Sequence, residues 1–454
     1  MSICEAVLSH AKKLQIDECE AFLAKRKIIT VRITDSEIAE VKQNQEEMLA
    51  VRVINEKRIS SAQTNNFDNP NQSVEAALRS SSLMRPKSYW KSLPQPTAST
   101  KNLNDLYDQR LNDISGSRAS DIAQTMINSA SNENEVTISG SLNVVSEEIE
   151  IANSNGLQLS DRATYIAGSI NAESNVGSAP VSGIGQGSAR TLDGFSAESI
   201  GEQAVDMCIN SINPQKCDQE TYAVIFEPYA IGEMLAFVFA SNFNLKTYSE
   251  KRSCFIDKIG KEIAVQDFSL IDDPHSPQGI GSKLFDDEGV PTETRPLIDS
   301  GVFANTYSDS FHAFKEGRES SGNASRAGSP MGRAAEPIPF PSPHNLRVSG
   351  KEISKDEIIK DTKKGLLVGR LWYTYAVNPI RGDFSCTARS GIRIIGNGEI
   401  KSPAKSVRII HNLPILLQNV SAIGNDVKNV LQWNSLPSIT PSVRVEGVKV
   451  VPIN

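Results

Sequence analysis

Residues 21–64 read AFLAKRKIITVRITDSEIAEVKQNQEEMLAVRVINEKRISSAQT, and this stretch decides the fold class. Segments 21–24, 28–33, 38–41, 48–54 and 59–62 are short, and most are rich in β-branched residues, which predicts five strands. Polar breaks such as Thr34-Asp35-Ser36 and Asn55-Glu56-Lys57 separate them. On the N-terminal side, Ile3, Val7, Ala11 and Leu14 recur at helical spacing and predict an amphipathic helix over 2–14. On the other side, Val74, Ala77, Leu78 and Ser81 predict a second helix near 72–84. Helix, antiparallel strands and helix make a small α/β domain over 1–90.

Beyond it, Pro86, Pro94 and Pro96 among Ser, Thr and Asn read as a linker, placed at 91–116. A central α/β segment over 117–220 follows. It has a helix near 117–131, alternating segments at 135–145, 147–153 and 163–171, a Gly-Ser stretch at 177–190, and a helix capped by Ser196. Thr221 to Phe226 reads as a buried strand, Pro228 opens a helix to about 240, and the C-terminal third is mostly strands and turns. Asp299-Ser300-Gly301 and Gly396-Asn397-Gly398 mark hairpins, and Ser354 with Glu357 forms a capping box. Local patterning thus mixes helices with many short strands along the chain. Segment 315–345, with five prolines and four glycines, reads as a mobile loop or lid.

The 454 residues are too many for one compact core. No apolar run approaches the roughly 18 residues of a membrane helix. The N-terminus has Glu5 and no long apolar core, so no export signal is expected. Six scattered cysteines without a C-x-x-C fit a reducing cytoplasm. Net charge is −7, and residues 120–189 hold eight acids against the single base Arg162. Direct nucleic-acid binding is not expected from such a surface.

Only five histidines occur, His10, His275, His312, His344 and His411, and no two lie one helical turn apart as a helix-borne zinc pair requires. Gly183-Ile184-Gly185-Gln186-Gly187 lacks the flanking elements of a dinucleotide fingerprint and reads as a flexible turn. Asp272-Asp273-Pro274 and Asp286-Asp287-Glu288-Gly289 offer oxygens to a hard cation, or simply make turns. Cys386 is either a packing thiol or a nucleophile, and the histidine nearest to it in sequence is His411.

Several blocks together resemble the TldD/PmbA family, once described as modulators of DNA gyrase and classed among peptidases. They are Ala50-Val51-Arg52-Val53, Ser60-Ser61-Ala62-Gln63-Thr64, Leu270-Ile271-Asp272-Asp273-Pro274, Phe285-Asp286-Asp287-Glu288-Gly289-Val290-Pro291 and Leu297-Ile298-Asp299-Ser300-Gly301-Val302. The late run Gly382-Asp383-Phe384-Ser385, Gly396-Asn397-Gly398-Glu399-Ile400 and Asn412-Leu413-Pro414 is similar to the PmbA (TldE) branch. The resemblance covers nearly the whole chain. It implies an α+β fold, a small N-terminal α/β domain followed by a larger antiparallel β-rich C-terminal domain over 221–454, and paired subunits around a chamber that admits short or unfolded peptides. In the TldD branch a helix bears His-Glu-x-x-x-His and a later cysteine completes a zinc site. The matching stretch here, 228–244, reads PYAIGEMLAFVFASNFN, with Glu233 and no histidine, and Cys386 lies about where the zinc branch keeps its cysteine. Glu233 and Cys386 are the candidate site residues. No metal or other cofactor is expected in this chain, and zinc is expected in a TldD-like partner. The resemblance implies a non-zinc subunit of a cytoplasmic metallopeptidase complex. An independently active hydrolase, a regulatory binding protein and a homodimer remain open.

Overall fold

A computed structural model describes residues 2–97, 103, 105–130, 136–277, 279–432 and 436–453. Parts of the expected linker and the acids Glu133 and Glu135 lie outside the described residues. The fold is α+β, as the resemblance implies.

The opening stretch makes three strands rather than five: β1 (Glu18–Thr34), β2 (Glu37–Asn55) and β3 (Arg58–Thr64). The charged runs at 25–27 and 42–47 do not break the ladder, because the strands set opposite charges side by side. Lys25 faces Glu47 and Arg26 faces Glu46, with ion pairs of 2.8 and 3.1 Å. The true breaks are the two hairpin turns. Asp35, Ser36, Glu56 and Lys57 take positive φ there, as tight primed turns demand.

The strands β4 (Val136–Asn153), β5 (Gln158–Ser174) and β6 (Val181–Ala189) complete an antiparallel sheet of order β3-β2-β1-β4-β5-β6. Strand β1 pairs with β4 from Glu20–Asn153 to Ile33–Gly140, so the 1–90 and 117–220 segments share one sheet. Helix α1 (Ile3–Lys13), closed by a Ser2–Glu5 capping box, packs Cys4, Val7 and Ala11 beside α2 (Asn71–Ser81). After the short helix α3 (Gln109–Asn112), helices α4 (Gly116–Ala130) and α5 (Ala197–Ile209) cover one face over Ile29, Val31, Leu142, Ile166 and Ile170. The start of the presumed linker, with Trp90 just before it, is also packed. Trp90 and Leu93 are buried, and Glu18 accepts from Trp90 Nε1 at 3.2 Å and from the Leu93 N–H at 2.8 Å.

The expected flexible turn at 183–187 is instead the middle of β6. A Cβ on Gly185 would meet the Ile200 carbonyl oxygen at 1.8 Å, and one on Gly183 would meet Ala204 O at 2.2 Å. These glycines let the α5 backbone lie directly on the strand.

In the C-terminal part, β7 (Thr221–Phe226) pairs in parallel with Lys364–Asn378 and antiparallel with Val443–Pro452. Strands Asp383–Gly396 and Val407–Asn412 link those two, so five strands close into a ring. A six-stranded sheet, mostly antiparallel, packs alongside it, and a single apolar core joins them.

The 315–345 segment is not a mobile loop. Arg326 and Arg333 are buried in ion networks that bind it to the first sheet. Arg326 pairs with Glu20 of β1. Glu20 also receives Arg52 of β2 at 2.7 Å, and Arg52 reaches Glu288 at 2.7 Å. Arg333 holds Glu147 and Asp161, each at 2.7 Å. The carboxylate clusters are turn and network residues. Asp286 accepts three N–H groups, from Glu288, Val290 and Ala324, and Asp272 accepts those of His344 and Asn345.

Two outcomes are expected. Replacing Arg326 with Ala leaves Glu20 and its neighbours buried with a charge uncompensated, and lowers unfolding free energy by about 3–5 kcal/mol in denaturant titration. Replacing Gly185 with Ala forces α5 off the sheet and costs about 3 kcal/mol, the upper end of overpacking penalties.

Candidate functional site

The two candidate residues reach one place by different routes. Glu233 lies near the end of α6 (Pro228–Met234), which Pro228 opens at a position where its missing N–H does no harm. The helix then widens into one π turn at Leu235–Phe239 and tightens at Ala240–Phe243. The wide turn leaves Leu235, Val238 and Phe239 buried while Phe237 is 40% exposed. Apart from Phe237, the apolar residues of this helix are covered by their own chain: Gly232 abuts Val430 and Ser438, and Met234, Leu235 and Phe239 join the core of the ring.

Cys386 faces inward from the strand Asp383–Gly396, fully buried beside its neighbour Ile409. Thr374 comes from the adjacent strand. Between the pairs Trp372–Thr387 and Tyr375–Ser385, the two residues Tyr373 and Thr374 oppose the single residue Cys386, and Tyr373 takes φ +50° in this bulge. The extra residue reverses the alternation and turns Thr374 inward, where its hydroxyl donates to Glu233 Oε1 at 2.7 Å.

Glu233 thus sits buried, bound by Thr374 and within electrostatic reach of both Cys386 and Arg370. Burial, then the Glu233 charge, push the Cys386 thiol far above its ordinary range. It is not a thiolate near neutral pH, so it is a poor nucleophile and a poor metal ligand. Burial lowers Arg370 to about 10, against the opposing pull of Glu233, and it remains a cation. Its guanidinium lies 4.0 Å from the centre of the Trp372 ring.

The histidines do not converge here. His10 pairs with Glu75, His275 with Thr292, His312 with Asp309, and His344 with Asp272. His411 lies nearest to Cys386 along the sheet, but its Nδ1 accepts the Asn412 N–H at 2.8 Å. It is not positioned as a base for the thiol. Among the described residues, no cluster of three or more His, Cys, Asp or Glu side chains is disposed to hold a metal.

Thr374 and Arg370 could not be found from sequence. Their approach to Glu233 depends on a bulge and on strand pairing across more than a hundred residues.

Comparison with known proteins covers nearly the whole chain. The family model for PmbA/TldA metallopeptidase domain 1 matches residues 19–83, that for the central domain 109–212, and that for the C-terminal domain 219–452. A metalloprotease PmbA from Escherichia coli O157:H7 is 26% identical over 250 residues, covering 55% of this chain and 51% of that protein. A metalloprotease from Methanothermobacter thermautotrophicus is 27% identical over 280 residues, covering 61% and 60%. The match therefore spans less than two thirds of either relative. The crystal structure of TldE from Thermococcus kodakarensis superposes with a TM-score of 0.91 at 24% identity, over 99% of this chain and 100% of that one, a likeness of fold.

A buried, protonated thiol should resist labelling. Iodoacetamide at pH 8 is expected to leave Cys386 unmodified in the native chain and to modify it once the chain is unfolded. Peptide mapping by mass spectrometry reads the difference, and equal labelling in both states would show the thiol to be accessible.

Proposed function

The chain belongs to the PmbA/TldD metallopeptidase family, and from that membership we propose that it is the non-zinc, TldE-like subunit of a complex that cleaves short or unfolded peptides. The observation that carries this reading is the helix over 228–243. It holds Glu233 where the zinc-bearing branch has its His-Glu-x-x-x-His, and it has no imidazole to offer.

The residues present do not fit a zinc ion. Four-coordinate zinc takes three or four protein ligands, deprotonated or neutral as the metal requires. Glu233 is engaged by Thr374, Cys386 keeps its proton, and the Arg370 cation nearby opposes a second positive charge. No chemical step is assigned to a metal in this chain. Zinc belongs in a TldD-like partner, and this chain's part is to complete the chamber that presents the peptide. The buried, protonated state of Cys386 weighs against an independent thiol hydrolase. The six cysteines are all unbridged, which suits the cytoplasm as the place of action. No helix among the described residues is long and apolar enough to cross a membrane.

Co-expression with a family member bearing His-Glu-x-x-x-His tests the proposal. The two chains should co-elute as a complex. An unstructured peptide should be cut only when both are present, and the chain alone should carry no stoichiometric zinc by elemental analysis. A partner that cuts equally well alone without forming a complex, or about one zinc per isolated chain, overturns it. Size measurement also separates a heteromer from a homodimer.

A further inference from the structure

A cavity of about 240 Å³ lies where the face of the first sheet opposite α4 and α5 meets the C-terminal part. Its sheet side is made of small and polar residues from the outward positions of β4, β5 and β6, among them Ser141, Asn143, Ser169 and Ser188. Asn429, the Tyr229 ring and Arg370 close the other side.

Among the described residues that line it, Arg370 alone carries a charge, and there is no carboxylate. Its guanidinium is fixed from behind by the stack on Trp372 and by the field of Glu233. A guanidinium carries its N–H donors in a rigid planar fork. Lys428, 5.5 Å from the centre of the Tyr229 ring, adds positive potential just outside the lining. Ser188 Oγ is buried and makes no hydrogen bond to any described residue. Asn143 already receives Thr30 Oγ1 on its side-chain oxygen at 2.8 Å, so its offer to a ligand is its NH2 group. The lining therefore presents a planar cation, a hydroxyl and an amide donor to one partly open space.

We propose that this cavity is a carboxylate-binding subsite, built for the end of a small ligand that a guanidinium fork grips and Ser and Asn side chains orient. A flat two-oxygen anion matches the fork bidentately. One lining cation, on a chain of net charge −7, is poorly suited to a phosphate dianion. The volume is below the roughly 300–1,000 Å³ of pockets that enclose a whole drug-sized ligand, so the cavity holds the end of a longer molecule. That the carboxylate belongs to a peptide rests on the proposed function. It comes either from the free C-terminus or from an acidic side chain.

Calorimetric titration of the purified chain with three probes tests this: acetyl-glycyl-alanine with a free carboxylate, the same peptide as its amide, and acetyl-glutamic acid with its α-carboxyl amidated. At least one carboxylate probe should bind about tenfold or more tightly than the neutral amide. The free-end probe binding alone assigns the site to C-termini, and the glutamyl probe binding alone assigns it to acidic side chains. Arg370→Gln should erase the preference. Because Arg370 is buried, Ser169→Leu serves as the second variant: it fills the cavity without touching the charge and should abolish binding, with the melting temperature showing that the fold persists. Equal affinity for acid and amide, or no binding of any probe up to about 10 mM by the folded chain, overturns the proposal. These readings use the isolated chain, so they stand or fall separately from the two-chain peptidase assay.

Discussion

The contact on which the molecule most depends is the buried chain of charges Arg326–Glu20–Arg52–Glu288. Its members come from the 315–345 segment, β1, β2 and the Asp286–Gly289 turn, and all four are almost wholly shielded from water. Removing water from four charges is costly, and their mutual pairing offsets the cost only in one arrangement. The network therefore acts as a positional lock between the first sheet and the C-terminal body. The Arg333–Glu147–Asp161 group repeats the device one strand further along. The meeting of the two parts beside β4, β5 and β6 follows from these locks.

Much of the fold was legible in the sequence, and the failures share a cause. Helix α1, the capping box at Ser354 and the hairpin turns were written in local chemistry. The charged middle of β1 and β2 was read as two breaks because single-strand patterning cannot see that Lys25 will face Glu47. The Gly-x-Gly-x-Gly run looked like a turn because nothing local reveals that α5 will lie on it. Segment 315–345 looked mobile because its arginines find their acids on strands far away in sequence. In each case the deciding partner is long-range.

The candidate site divides the same way. Glu233 and Cys386 could be named from sequence because a family resemblance points to them, and the structure brings both into one buried spot. Thr374 and Arg370 could not, since one depends on a bulge and the other on the packing of two sheets. Together the four make a buried, water-poor group: a carboxylate that accepts from a hydroxyl and feels a nearby cation, beside a thiol that stays protonated. Such a group is arranged for rigidity and for the charge of its surroundings.

The five-stranded ring has a consequence for how the chain is made. Strand β7 leaves the ribosome early, yet its second partner, Val443–Pro452, follows about 220 residues downstream, on the order of tens of seconds at ordinary synthesis rates. During that interval β7 has an open edge that Lys364–Asn378 covers only on one side. Closing so long a loop also slows folding in the test tube. The first sheet needs nothing beyond β6 for its ladder, so it can assemble while the ring still waits for its last strand.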